Sequence, residues 1–180
     1  LSQTQATIPL FPPILARALR VVPLPPLSLS LTAYSRKIAK NHPGLFRRLG
    51  EFDHTPFVLD PTDLPFVICL DPNGGVPRVT VVRGKGEGAA RISGPLAALI
   101  GLVHGAYDGD ALFFSRDLVV EGDTGAALAL RNAVDDAELD LAQEIASITG
   151  PLARPLHHII EFTQRRTGVC LTRPDEAEAW

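Results

Sequence analysis

Methionine is absent from these 180 residues, position 1 included. Cysteine is scarce. Cys69 and Cys170 lack a CxxC or CxxH partner, which argues against a thiolate metal clamp and suits a reducing cytoplasm. The five histidines, at positions 42, 54, 104, 157 and 158, show neither HxxH nor HxxxH spacing, so no metal site is expected. Aromatic residues make up only 6%. No apolar run approaches the ~20 residues that span a bilayer, and no charged start leads into a long apolar stretch of the secretory kind. The net charge of −3 argues against general nucleic-acid binding.

The first fifty residues lack any acid. They carry Arg17, Arg20, Arg36, Lys37, Lys40, Arg47 and Arg48, a charge of +7, while residues 51–180 sum to −10. Such a segment either folds back on its own acidic domain or is drawn to an anionic membrane, where each basic residue near the surface contributes about 1 kcal/mol. The two are compatible if docking is reversible. Residues 1–27 read as a proline-punctuated basic and apolar arm, with a short amphipathic helix over Pro13 to Val22. Arg17, Arg20, Arg36, Lys37 and Lys40 are the candidate membrane-contact residues.

What is present is apolar: 46% of the chain is hydrophobic, enough to fill the core of one domain. Leu29 to Lys40 suits a helix capped by Ser28 or Ser30 and stopped by His42-Pro43-Gly44, and a short basic turn or helix follows over Leu45 to Gly50. Strands are expected at Phe57–Leu59, Leu64–Leu70, Arg78–Arg83 and Ala89–Ser93, with Phe66, Ile68 and Leu70 on one face. Asp71 to Gly75 is a turn. Ser93-Gly94-Pro95 opens an almost wholly apolar helix, Leu96 to His104, closed by Gly105. The glycine-rich segment 84–88 reads as a hairpin turn; a phosphate loop would need glycine at Val79 and Ser or Thr at Gly86.

The most informative stretch is Leu112 to Leu139. Leu112-Phe113-Phe114 is a hydrophobic knot, and Asp117 to Glu121 alternates as a half-buried strand with Leu118 and Val120 on one face. Gly122-Asp123-Thr124 breaks it. Asp123 is placed to N-cap a helix carrying Ala126, Leu130, Val134, Ala137 and Leu141 on one face. No catalytic group emerges: Ser115 lacks GxSxG surroundings, and Asp123, Asp135, Asp136 and Glu138 read as cap and solvated face. Beyond Leu141 the pattern weakens to a short amphipathic helix around Leu156 to Phe162 that covers the core or lids an entrance. Arg173 to Trp180 reads as a mobile tail.

This unit resembles the sterol carrier protein type 2 family, and more closely its ubiquinone-biosynthesis accessory-factor subgroup, the UbiT-like proteins. Their run LFFxRxLxIEGDTxxxLxxxNxxDxxEL is matched by Leu112, Phe113, Phe114, Arg116, Leu118, Val120, Glu121, Gly122, Asp123, Thr124, Leu128, Asn132, Asp135, Glu138 and Leu139. The resemblance implies an α+β, sterol-carrier-like domain over 28–141, a mostly antiparallel sheet with helices on one side enclosing an apolar tunnel. Residues 142–180 would be a helical extension and tail. It implies a non-enzymatic, cofactor-free factor, cytoplasmic and peripherally membrane-associated. Such a factor would hold a prenylated quinone precursor or phospholipid and present it to ubiquinone-biosynthesis enzymes, in the oxygen-independent pathway. Phe66, Ile68, Leu99, Val103, Leu112, Phe113, Leu118 and Leu130 are the candidate tunnel lining. A general fatty-acyl or phospholipid transfer protein and a scaffold that binds no lipid are the alternatives.

Overall fold

The computed structural model describes residue 8, residues 10–104, residue 112 and residues 115–137. The candidate lining residue Phe113, the glycine stop at 105 and the extension 142–180 lie outside the described residues.

Two short pieces come first: helix α1, Pro13–Ala18, and a 3-10 turn, Leu19–Val21. Helix α2 follows over Leu24–Asn41 and α3 over Pro43–Arg48. Strands β1 (Phe57–Pro61), β2 (Val67–Asp71), β3 (Arg78–Val82) and β4 (Ala90–Gly94) then lead to α4 (Leu96–His104), β5 (Val119–Gly122) and α5 (Thr124–Ala137).

Helix α2 starts well before the serines expected to cap it. Pro25 and Pro26 fall in its first turn, where a missing N–H breaks no intrahelical bond. That leaves the serine and threonine hydroxyls for another task. The Val81 N–H donates to Ser28 Oγ (2.9 Å), and the Val79 N–H to Thr32 Oγ1 (3.0 Å). Thr32 Oγ1 donates in turn to the Val79 carbonyl, and Arg36 Nε to the Pro77 carbonyl. Residues 28, 32 and 36 form one stripe at i, i+4 and i+8, and they engage the outer edge of β3. An edge strand left open invites pairing with another chain; here a helix closes it.

The sheet runs β3-β2-β1-β4-β5. β2 pairs antiparallel with both β1 and β3, and β5 antiparallel with β4. The β1–β4 pair is parallel, with Phe57 opposite Ala90 and Leu59 opposite Ile92. This corrects the hairpin expected at 84–88. The segment does not return β4 beside β3 but crosses the face of the sheet away from the helices. A β-carbon on Gly86 would stand 2.8 Å from Cys69 Sγ and 2.9 Å from Val67 Cγ2, so glycine lets the crossing lie directly on the strands. Arg91 pins it, donating to the Lys85 carbonyl and pairing with Asp60 at 2.7 Å. β2 also begins later than expected, because Leu64 N–H closes a turn onto the Pro61 carbonyl.

Helix α5 forms as read as far as Ala137; Leu141, expected on the same face, lies outside the described residues. Asp123 Oδ1 accepts from Ala126 N–H at 3.0 Å, an N-cap that typically contributes about 1 kcal/mol. Ala126 and Leu130 are buried, as are Ala127 and Ala133 beside the expected stripe. The small residues bring α5 close to its neighbours. The core runs between the helical layer and one sheet face through Ile38, Leu45, Phe57, Ile92, Leu99, Leu102 and Leu130. The architecture is α+β, with a mostly antiparallel five-stranded sheet.

Candidate functional site

The core does not close completely. Between sheet and helices lies a partly open cavity of about 250 Å³. Its floor is the sheet: Leu59 of β1, Ile68 and Leu70 of β2, Val79 of β3 and Ile92 of β4. Alternation along each strand puts these residues on one face, at matched register, with Leu59 opposite Ile68 and Leu70 opposite Val79. The roof comes from α2 (Leu31, Tyr34, Ser35, Ile38), α3 (Leu45, Phe46), α4 (Leu99, Leu102, Val103) and α5 (Leu130, Arg131, Val134). The wall is carbon almost throughout. Among the described residues no group of three or more His, Cys, Asp or Glu is placed to hold a metal ion.

The structure brings four of the candidate lining residues to this cavity: Ile68, Leu99, Val103 and Leu130. Phe66, Leu112 and Leu118 are buried but do not border it. Phe66 precedes β2 rather than extending its alternation. Leu112 and Leu118 belong to the solid part of the core, where the Leu118 N–H donates to the Leu112 carbonyl. Sequence reasoning passed over the α2 and α3 contribution, although Leu31, Tyr34 and Ile38 recur at helical spacing. It also passed over Arg131, whose charge hid it from a search for apolar lining.

The basic arm is tied to the domain through its main chain. Phe11 N–H donates to Asp63 Oδ2 at 2.8 Å, while Asp63 Oδ1 accepts from Leu96 N–H at the start of α4. Arg83 donates to the carbonyls of Arg20 (2.6 Å) and Val22 (3.0 Å). Ile8 packs against the core. The arm's side chains largely face outward instead. Ile14 is 79% exposed and Val21 85%, and Leu10 and Leu15 are exposed as well. Arg17 and Arg20 stand exposed among them. The other three candidate membrane residues lie on α2: Lys40 is exposed, Lys37 half-buried, and Arg36 engaged with β3. No single helix among the described residues is long and apolar enough to cross a membrane; the pair Pro13–Val21 and Leu24–Asn41 reaches that length only across a 103° bend.

A model of the SCP-2 sterol transfer family matches residues 37–135. Among solved structures, one described as UbiJ-SCP2 ubiquinone synthesis protein is 18% identical, with a TM-score of 0.52 over 65% of this chain and 96% of that one. A crystal structure of sterol carrier protein 2 is 15% identical, with a TM-score of 0.48 over 61% and 94%. The apo form of sterol carrier protein 2 from Yarrowia lipolytica is 17% identical, with a TM-score of 0.42 over 62% and 92%. No curated protein matches the chain. Likeness at these identities speaks to fold alone.

Proposed function

The chain belongs to the SCP-2 sterol transfer family, and from that premise we propose that it is a non-catalytic lipid-binding accessory factor of ubiquinone biosynthesis, acting in the oxygen-independent branch. It holds the prenyl tail of a quinone precursor, or a membrane lipid beside it, and presents the head to modifying enzymes. The observation that carries this reading is the apolar cavity between sheet and helices. The quinone assignment rests on the run from Leu112 to Leu139, and the structural neighbour described as a ubiquinone synthesis protein is consistent with it.

Magnitudes favour presentation over free shuttling. Each buried CH₂ is worth ~0.8 kcal/mol, so one five-carbon prenyl unit contributes roughly 4 kcal/mol. Several units would exceed the practical affinity ceiling of about −18 to −21 kcal/mol. A cavity of about 250 Å³ is smaller than the ~300–1,000 Å³ of sites that enclose a drug-sized ligand. Part of the chain is held while the rest stays in the bilayer. Native mass spectrometry of the purified protein tests this, with prenylated quinone precursors as the expected co-purified lipid. Fatty acids or phospholipids alone would favour the general transfer reading, and a lipid-free protein that takes up none would leave a scaffold.

Partial burial requires the protein to sit on the membrane, and the arm is the proposed contact. Its backbone is held by Asp63 and Arg83, so Ile14, Val21, Arg17 and Arg20 are presented at little further entropic cost. Arg17→Gln with Arg20→Gln weakens binding to vesicles containing anionic lipid by about 2 kcal/mol at low salt. Ile14→Ser with Val21→Ser weakens it with less dependence on salt, since exposed charges are screened over about 8 Å at physiological ionic strength and apolar insertion is not. Co-sedimentation across a salt series checks both. Undiminished binding by the combined variant would assign the arm to packing alone.

A further inference from the structure

We propose that the N-terminal arm is a strap on the roof of the cavity, and that Asp63 passes its grip to α4. A fastened strap holds α4 in place; a released one lets it open. The gate that this makes rests on the lipid-binding reading above, whereas the strap itself is defined by contacts that involve no ligand.

The arm is fastened at two points and buried at almost none. At one end Arg83 donates to the carbonyls of Arg20 and Val22. At the other, Phe11 N–H donates to Asp63 Oδ2, and Ile8 packs against the core. Between them neither α1 nor the 3-10 turn Leu19–Val21 buries a residue. A segment held by a few polar contacts and little apolar burial opens at far lower cost than the core does.

Asp63 is the joint. Its backbone is pinned on both sides, because Thr62 N–H donates to the Gly94 carbonyl and Leu64 N–H to the Pro61 carbonyl, each at 2.9 Å. The carboxylate is left to move through its side-chain torsions alone. Oδ2 takes the arm, and Oδ1 takes Leu96 N–H at 2.9 Å. Leu96 opens α4, where the first N–H groups have no partner within the helix and the helix dipole favours negative charge. α4 has no acid in its own first turn. Asp63 supplies that charge from outside. Two donors on one carboxylate fix its orientation, so each contact spares the other the entropy of ordering it. Loss of the Phe11 contact frees the carboxylate to turn and weakens its hold on Leu96. Because α4 brings Leu99, Leu102 and Val103 to the roof, the arm's grip reaches the cavity.

Backbone hydrogen exchange of the full chain tests this with a matched pair. Phe11→Pro removes the N–H donor, whereas Phe11→Ala loses the same ring and keeps the donor. Phe11 precedes Pro12 and is already biased to extended backbone, so proline there alters the path little. The amides of α4 are expected to exchange about five-fold faster in Phe11→Pro than in Phe11→Ala, the low end of the coupling typical between linked sites. Within an Asp63→Asn background that difference should vanish, because a side-chain amide presents one acceptor oxygen where the carboxylate presents two. The Phe11 pair decides the matter even where Asp63→Asn does not fold. Uptake of a fluorescent-acyl phospholipid from phosphatidylcholine vesicles should quicken in the same order. Equal α4 exchange in the two Phe11 variants, or a difference that persists with Asp63→Asn, overturns the strap. Faster exchange without faster uptake overturns its action as a gate. If no variant and no parent protein takes up the probe, the lipid-binding reading falls, and the exchange comparison alone judges the strap.

Discussion

Replacing Gly122 with alanine is expected to lower the stability of the domain by about 3–5 kcal/mol, a large share of the roughly 5–15 kcal/mol typical of a folded protein. Two independent effects meet at this residue. Its φ of +83° lies where residues with a β-carbon are strained, by about 1–3 kcal/mol. A β-carbon built there would also stand 2.3 Å from the Ala89 carbonyl oxygen. That carbonyl cannot easily withdraw, because it accepts the Asp123 N–H at 2.9 Å. Gly122 closes β5 against Ala90 of β4, and Asp123 opens α5 directly after it. Moving one disturbs the other. Gly44→Ala is the matched control: nothing lies within 4 Å of its would-be β-carbon and it sits inside α3, so a gain of up to about 1 kcal/mol is expected. Urea unfolding followed by circular dichroism measures both. A Gly122→Ala loss below about 1 kcal/mol would mean that the β4–β5 end yields and that the clash carries little.

Filling the cavity should abolish ligand binding. Ile68→Phe extends from the floor on β2 and Val103→Phe from the roof on α4, so the double variant narrows the space from both walls. Excluding a single prenyl unit removes about 4 kcal/mol, close to three orders of magnitude in affinity. Each added ring costs about 1–3 kcal/mol if it meets packed atoms and less if it enters open space. The expected result is a protein that stays folded by circular dichroism, with a melting temperature near the parent's, and takes up no lipid. Binding at the parent's affinity would place the ligand elsewhere on the chain and sink the cavity as its site.

Local chemistry is what the sequence by itself determined. A strand before Asp123, the cap at Asp123 and the helix after it could be read directly, because alternation, a left-handed turn and a capping carboxylate act over a few residues. β5 itself starts at Val119 rather than Asp117 and includes Gly122. The apolar helix Leu96–His104 was equally plain. The start of α2 was misread, since prolines usually mark a boundary and here occupy a first turn that tolerates them. The partner of β4 depended on tertiary structure: a glycine-rich segment serves a hairpin or a crossing equally well, and only the close fit of Gly86 on Val67 and Cys69 distinguishes them. So did the hydroxyl stripe of Ser28 and Thr32, which gains meaning only once β3 lies beside it. The cavity is the strongest case. Periodicity tells that Ile68 and Leu118 both face inward, but not that the space opposite Ile68 stays open while Leu118 sits in solid core. Whether an inward side chain meets an atom or a void is set by how four helices settle on five strands, and no local pattern encodes that distance.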